Sequence, residues 1–249
     1  MTVPPWLFVV VLAAAAFLIG LSKGGLGSGM GALITPAVSL ALPNVAMALG
    51  LLLPMLIVGD AFAVYVYWGQ WDGGLVRRLL PAALLGVALG VFVLVGLPAK
   101  SMRLAVGVFT LAVVVYKIAG DSLRRLRYRP RPWHAPAAGA MSGLASTLFN
   151  AGGPPLTTYL ILNEIPPRPF IATSAIFFAI LNASKVPAFV ATRAFNLPLL
   201  FSVWWAFPFV PLGIWLGRRL IDRIDPRTFE RTVMGLSVLA SGLLIWQSL

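Results

Sequence analysis

Three ionisable residues lie within strongly apolar stretches of the sequence. Lys23 follows the apolar run from Trp6 to Ile19, Asp60 lies in VGDAF, and Lys185 lies in LNASKVPAF. A charged side chain at membrane depth is costly, and it usually belongs to a substrate or ion pathway. Asn182 lies about one turn before Lys185, on nearly the same face of a helix. The lysines and the asparagine therefore predict a binding site for a small anion.

Two interpretations of Asp60 are open. With an offset of 123 residues between the two halves of the chain, Asp60 falls beside Ala183, close to Asn182 and Lys185. Its carboxylate either accepts a coupling proton or holds a lysine in a salt bridge. For Lys23, the competing interpretation is that its side chain reaches a membrane interface or pairs with a carboxylate.

Two glycine-rich breaks interrupt the apolar sequence. The first is Gly20–Pro36 (GLSKGGLGSGMGALITP), and the second is Gly143–Pro155 (GLASTLFNAGGPP), about half a chain later. Because glycine destabilises a helix, each break is expected to be buried in protein or to line a wet cavity. Paired breaks of this kind are typical of the binding sites of transporters.

Each break is followed by a short helix, whose free amides and dipole favour an anion. The alternative is that the glycines only permit close packing; a nucleotide-binding loop is discounted because no strand precedes GLGSGMG. Asp60 is the candidate for proton coupling. The predicted substrate-binding residues are Lys23, Gly27, Ser28, Gly29, Met30, Gly31, Thr35, Asn150, Ala151, Gly152, Gly153, Asn182 and Lys185.

The composition is that of an integral membrane protein, which makes the lipid bilayer a partner. Hydrophobic residues make up 59% of the chain and charged residues 10%, against roughly 25% charged in a soluble domain. Cysteine is absent and His134 is the one histidine, so neither a metal site nor a cofactor is predicted. Without paired carboxylates or a nucleophile beside a base, the sequence also predicts that the protein is not an enzyme.

The positive charge lies in loops that flank the apolar segments. The net charge is +12, but Lys and Arg in such loops set membrane orientation, so no nucleic-acid partner is predicted. The central loop is expected to be cytoplasmic, with both termini periplasmic or external. Its arginines are Arg124, Arg125, Arg127, Arg129 and Arg131.

Ten apolar segments are expected to be helical. The second and seventh are too short to span a bilayer, so each break is interpreted as the tip of a re-entrant hairpin, with a pair of full spans as the alternative. The segments are Pro5–Leu21, Ala32–Leu42, Val45–Trp68, Leu79–Leu97, Met102–Ile118, Ala135–Phe149, Leu156–Leu162, Pro169–Ala191, Leu199–Leu220 and Phe229–Trp246.

The two halves of the chain match. Gly86 and Gly90 in the fourth segment correspond to Gly213 and Gly217 in the ninth, and such small-xxx-small pairs let helices approach closely. The predicted fold is an all-α polytopic membrane protein with two inverted-topology repeats. Each repeat has about five helical segments and opens with a broken helix pair. The repeats cover residues 1–119 and 134–249, joined by a basic cytoplasmic linker at 120–133.

The chain resembles the TauE/SafE family of membrane anion exporters. GLSKGGLGSGMGALITP, its counterpart FNAGGPPLTTYLIL and the matched halves carry the resemblance. The second break has Pro154 and Pro155 where the family often continues with glycine. The resemblance implies a multi-pass protein of the bacterial inner membrane that exports a small sulfur-containing anion.

The expected function is proton-coupled export of sulfite or of a two- or three-carbon organosulfonate such as sulfoacetate. Transport would proceed by alternating access around a site near the midplane, between the two repeats. The alternatives are a passive anion channel and a transporter of another small organic anion, such as a carboxylate. The sequence leaves open whether the chain forms a homodimer.

Overall fold

The computed structural model describes residues 4–26, 31–123, 131–192, 194–195, 197–220 and 226–248. Within these ranges the secondary structure is helical, without a β-strand. A π-helical segment, Ser22–Leu26, continues α1, and a 3-10 turn, Trp204–Ala206, follows α9. The α-helices are α1 (Pro5–Leu21), α2 (Gly31–Leu40), α3 (Val45–Val66), α4 (Gly73–Gly96), α5 (Ala99–Leu123), α6 (His134–Phe149), α7 (Gly153–Leu162), α8 (Pro167–Ala191), α9 (Leu197–Ser202), α10 (Phe209–Leu220) and α11 (Pro226–Trp246).

Several helices have the length and composition of membrane spans. A span needs roughly 20 apolar residues. Five helical stretches in the described part of the chain meet that requirement, so the prediction of an all-helical polytopic membrane protein is confirmed. They are Pro5–Gly24, Val45–Val66, Gly73–Gly96, Ala99–Ile118 and Pro167–Ala191.

Polar side chains fix where two of the long helices begin. The side chain of Asn44 accepts a hydrogen bond from the amide of Met47 at the start of α3, at 2.8 Å. Asp72 caps α4 in the same way by accepting from the amides of Gly74 and Leu75. Such caps satisfy amides that have no partner inside the helix. Because of its cap, α4 begins at Gly73, before the apolar run that the sequence marked.

The ninth predicted segment, Leu199–Leu220, is wrong as a single helix. The structure divides it into α9, the 3-10 turn and α10. Pro208 lies at the division, and its ring removes an amide that a continuous helix would need. The amide of Leu212 donates to the carbonyl of Pro208, and α10 begins at Phe209, directly after the proline.

Helices of the two halves pack on one another through glycines. Gly20 of α1 lies against Gly213 of α10, and Gly24 lies against Gly217. A Cβ atom on Gly20 would lie only 2.1 Å from the carbonyl oxygen of Val210. The residue numbers rise together along both helices, so α1 and α10 run parallel, with their backbones in contact.

The pair formed by α4 and α6 repeats this arrangement. Gly86 lies against the carbonyl of Ala140, and a Cβ on Gly143 would lie 2.0 Å from the carbonyl oxygen of Ala83. The glycines that match in the sequence therefore permit the same close backbone contact in both helix pairs. The first helix of each half thus packs on a helix from the fourth segment of the other half: α1 packs on α10, and α6 packs on α4. These contacts interlock the two halves.

Some predicted features lie outside the described residues. They include Gly27, Ser28, Gly29 and Met30 of the first break, and the arginines at 124, 125, 127 and 129 in the central loop. α5 extends to Leu123, into the predicted linker, and the boundaries of the two repeats stay a prediction.

Candidate functional site

Lys23, Asp60 and Asn182 lie together although they are far apart in the sequence. Lys23 lies in the π-helical continuation of α1 and forms a salt bridge with Asp60 of α3. The side chain of Lys23 is 17% exposed and that of Asp60 is 1% exposed. Asn182 of α8 donates from Nδ2 to the second carboxylate oxygen of Asp60, at 2.6 Å. The carboxylate is therefore bound on both oxygens, and the salt-bridge interpretation of Asp60 describes its geometry.

The π-helical turn explains how Lys23 reaches Asp60. A π-turn adds a residue to a helical turn and re-aims the side chains, and such turns are frequent at functional sites. The backbone of Gly24, the next residue, packs on Ile214 of α10. The turn is therefore held against α10 while Lys23 extends towards α3.

Lys185 of α8 is fully buried. Its ammonium group donates to the hydroxyl of Ser146 at 2.8 Å and to the carbonyl of Ser146 at 2.9 Å. Both acceptors are neutral. The charged neighbours that act on Lys185 from further away are Asp60 and Lys23. A buried ammonium with neutral partners alone is costly, and an anion beside it would lower that cost.

The sequence interpretation missed Ser146, although a signal for it was present. Ser146 follows Lys23 by 123 residues, which is the offset between the two halves. The contact of Lys23 with α3 thus has a counterpart in the contact of Ser146 with α8. The first contact is an ion pair and the second joins a neutral residue to a cation, so the two halves differ chemically at matching places.

The second break brings Asn150 into the interior. Asn150 caps the carboxyl end of α6, and its backbone is left-handed with φ 52°. Its side chain is 8% exposed, and neither polar atom of its amide has a hydrogen-bond partner. Leaving both groups of a buried amide unsatisfied costs free energy. A buried amide without a partner is suited to bind a ligand or an ordered water.

Gly152 lies where Ser142, Ser146 and Phe178 converge. A Cβ atom on Gly152 would lie 2.6 Å from the carbonyl oxygen of Ser142 and 2.9 Å from Cε1 of Phe178. α7 begins at the next residue, Gly153, whose amide has no helical acceptor, while Pro154 and Pro155 after it carry no N–H group. The predicted residue Ala151 is fully buried between Asn150 and Gly152.

Phe178 connects the two groups of residues. The ammonium nitrogen of Lys23 lies 5.2 Å from the centroid of its ring, while its ring edge approaches Gly152. The sequence interpretation missed Phe178, although Phe178, Asn182 and Lys185 follow the i, i+4, i+7 spacing of one helix face. This face of α8 therefore carries the ring, the amide and the ammonium group of the candidate site.

Thr35 links the two breaks. It lies in α2, and its hydroxyl donates to the carbonyl of Phe149, the last residue of α6, at 3.0 Å. The short helix of the first break thus touches the end of the first helix of the second break. Gly31 begins α2.

The described site has two cations, Lys23 and Lys185, and one carboxylate, Asp60. The carboxylate lies on Lys23, while Lys185 has neutral hydrogen-bond acceptors. The described residues contain no group of histidine and carboxylate side chains that is suited to a metal ion. The charge of the cluster therefore favours an anion.

A comparison with protein families agrees with this geometry. The family model "Sulfite exporter TauE/SafE" matches residues 12–244, nearly the whole chain. The chain belongs to the TauE/SafE family. Neither the curated proteins nor the solved structures contain a significant match. TauE/SafE is a transporter family. Together with the five apolar helices of spanning length, this membership indicates a multi-pass membrane protein.

Proposed function

We propose that this TauE/SafE protein exports sulfite, or a two- or three-carbon organosulfonate such as sulfoacetate, from the cytoplasm. The observation that carries the proposal is the buried ammonium of Lys185, bonded to neutral acceptors, beside the unpartnered amide of Asn150. A sulfonate or sulfite group offers three oxygens that such donors can share.

The anion binds at the second break. The amides at the start of α7, from Gly152 and Gly153, add donors and a favourable helix dipole. Asn150 supplies its Nδ2 donor, and Lys185 supplies the charge. Lys23 lies across the ring of Phe178 and completes the site from the side of the first break, to which the predicted residues 27–31 also belong.

The two halves are inverted in this mechanism. Gly50, early in α3, lies against Ala194, just after α8. The amide of Asp72, after α3, donates to the hydroxyl of Thr173, early in α8. These contacts support an antiparallel arrangement of α3 and its counterpart α8, as a two-fold axis in the membrane plane requires.

Alternating access follows from that symmetry. The interlocked pairs, α1 with α10 and α4 with α6, rock against α3 and α8 around the fixed anion site. The protein lies in the bacterial inner membrane, with the arginine-rich central loop in the cytoplasm and both termini outside. This orientation is supported by the excess of Lys and Arg in the loops.

Calorimetry on the purified protein in detergent tests the binding site. We expect saturable binding of sulfite or sulfoacetate, weaker binding of malonate as the matched dicarboxylate, and a loss of about 10- to 100-fold in affinity in Lys185→Gln. Arg77→Gln, which removes an exposed arginine, is the control and should bind like the unaltered protein.

Flux into proteoliposomes separates a carrier from a channel. A carrier gives a sulfite flux that saturates with concentration and is lost in Lys185→Gln. A flux that rises linearly with concentration would instead assign the protein as a passive anion channel. Equal binding by Lys185→Gln and the unaltered protein would move the site away from the second break.

A further inference from the structure

Lys23 lies between two places where an anionic group can bind it. On one side it pairs with the carboxylate of Asp60. On the other side it faces the ring of Phe178, at 5.2 Å from the centroid, and Cε1 of the same ring lies next to Gly152 of the second break. The ring of Phe178 therefore contacts both Lys23 and the second break, where the proposed anion binds.

Asp60 has the surroundings of an ionised carboxylate. One oxygen accepts a hydrogen bond from the ammonium group of Lys23, and the other accepts one from the side-chain amide of Asn182. Among the residues that the structure describes, the charged groups that face it are Lys23 on the π-helical segment and, further away, Lys185 on α8. The residues of α1 and α10 near this part of α3 are apolar, among them Ile19 and Val210 beside Gly59.

Moving Lys23 would leave Asp60 in an unfavourable state. Its side chain is 1% exposed, and a buried carboxylate without its cation is strongly destabilised. An anion arriving nearby adds repulsion between like charges. The amide of Asn182 still bonds one oxygen, but it carries no charge. A proton on the other oxygen removes both penalties, so anion binding and proton binding favour each other.

We propose that Lys23 exchanges Asp60 for the transported anion, and that Asp60 takes up one proton from water as Lys23 leaves. The proposal rests on the anion site described above. Phe178 lies under the path of the ammonium group and stabilises the cation through its ring face. No covalent bond forms or breaks apart from the O–H bond of Asp60.

This exchange determines whether the proton moves in the same direction as the anion or in the opposite direction. Anion and proton bind together, so they cross the membrane together. Exchange of an inward proton for an outward anion at Asp60 would need the carboxyl group to lose its proton as the anion arrives. When the anion arrives, however, Asp60 loses its contact with Lys23 and gains a negative charge nearby. Both changes favour protonation of the carboxylate over loss of a proton. Export then follows the outward gradient of the anion.

Proton uptake on binding is the direct test. The probe is isethionate, a two-carbon sulfonate that stays ionised, titrated by calorimetry into the purified full-length protein. Comparing buffers with different ionisation enthalpies gives the number of protons bound with each anion. We expect uptake approaching one proton for each anion bound and, by linkage, an affinity that falls by up to about tenfold for each unit of increase in pH.

Three variants assign the proton. Asp60→Asn should bind isethionate with no proton uptake and no pH dependence. Because this variant leaves Lys23 without its carboxylate, the neutral pair Lys23→Gln/Asp60→Asn is the second variant, in which the uptake should also be absent. Asp72→Asn, which alters a carboxylate outside the site and preserves a helix cap, is the matched control and should keep the uptake.

The outcomes separate this proposal from the proposed function. If the unaltered protein binds isethionate with no proton uptake, or releases protons, the exchange at Asp60 is wrong while the anion site stands. Uptake that persists in Asp60→Asn assigns the proton to another group and also overturns the exchange. If neither sulfite nor any sulfonate binds the unaltered protein, the anion site itself fails and the exchange with it.

Discussion

The hydroxyl of Ser146 lies 2.8 Å from the buried ammonium of Lys185, and Ser146 follows Lys23 by 123 residues, the offset at which the sequences of the two halves match. The matching contact in the first half is the salt bridge between Lys23 and Asp60. The two halves thus present different chemistry at equivalent positions. Lys23 pairs with an internal carboxylate, whereas Lys185 bonds neutral acceptors, which suits Lys185 to the proposed anion site.

Ser146→Ala tests the contact with Lys185. The variant removes one of two acceptors, and the carbonyl of the same residue stays. A hydrogen bond to a charged group contributes about 1.5–3 kcal/mol, so the lysine loses its fixed position and sulfite affinity should fall by roughly tenfold. Ser202→Ala is the control, because Ser202 lies in α9, outside the site, and its exposed hydroxyl donates to the carbonyl of Leu199; the sulfite affinity of this variant should not change. Equal losses in both variants would contradict a specific role for Ser146.

Removal of one partner of the salt bridge should destabilise the protein. Breaking a buried pair costs about 3–5 kcal/mol, whereas replacing both partners is far less harmful. Lys23→Gln and Asp60→Asn should each lower the free energy of unfolding in detergent by amounts of that order. The double variant should lose clearly less than the sum of the two single losses. Additive losses would show that Lys23 and Asp60 are not coupled.

Much of the fold could be predicted because apolar runs and helix breakers are local signals. Glycine and proline end helices for reasons that lie within a few residues. The second break is shorter than the predicted Gly143–Pro155, because α6 continues to Phe149 and α7 begins at Gly153. The start of α4 was missed because Asp72 extends the helix over polar residues. The break at Pro208 was missed because the surrounding run is uniformly apolar.

The site could be predicted only in part. Lys23, Asp60 and Lys185 are conspicuous because charge is rare in apolar sequence, and the structure brings them near one another. Ser146 and Phe178 are ordinary residues in a membrane helix. Their importance depends on the crossing of α6 with α8, which is a tertiary contact, so the sequence offset of Ser146 and the helix-face spacing of Phe178 become informative only when that contact is known.

The glycine contacts predict a strong dependence on side-chain size. Gly143→Ala would place a Cβ 2.0 Å from a backbone oxygen of α4, and backbone cannot move aside as a side chain can. The helices must separate, so we expect little folded protein by size-exclusion chromatography in detergent. Gly235→Ala in α11 is the control, since no atom lies within 4 Å of its Cβ position. Alanine there should be neutral, or stabilising by up to about 1 kcal/mol. Similar yields for the two variants would contradict the close packing of α4 on α6.

Asn150 allows stability and anion binding to be separated. Asn150→Gly keeps a residue that suits the left-handed backbone and removes a buried amide without partners. The free energy of unfolding should therefore stay the same or rise. Sulfite affinity should nevertheless fall by about 5- to 10-fold, because the variant loses one hydrogen-bond donor to the anion.

Asn150→Asp keeps the size of the side chain and adds a negative charge beside the anion. Repulsion between like charges is strong in a buried site, so sulfite binding should be lost in calorimetry at neutral pH. A thermal unfolding curve for each variant separates loss of the site from loss of the fold. If Asn150→Gly and Asn150→Asp both bind sulfite like the unaltered protein, the second break does not hold the anion, because a neutral deletion and a repulsive charge cannot both be tolerated next to it.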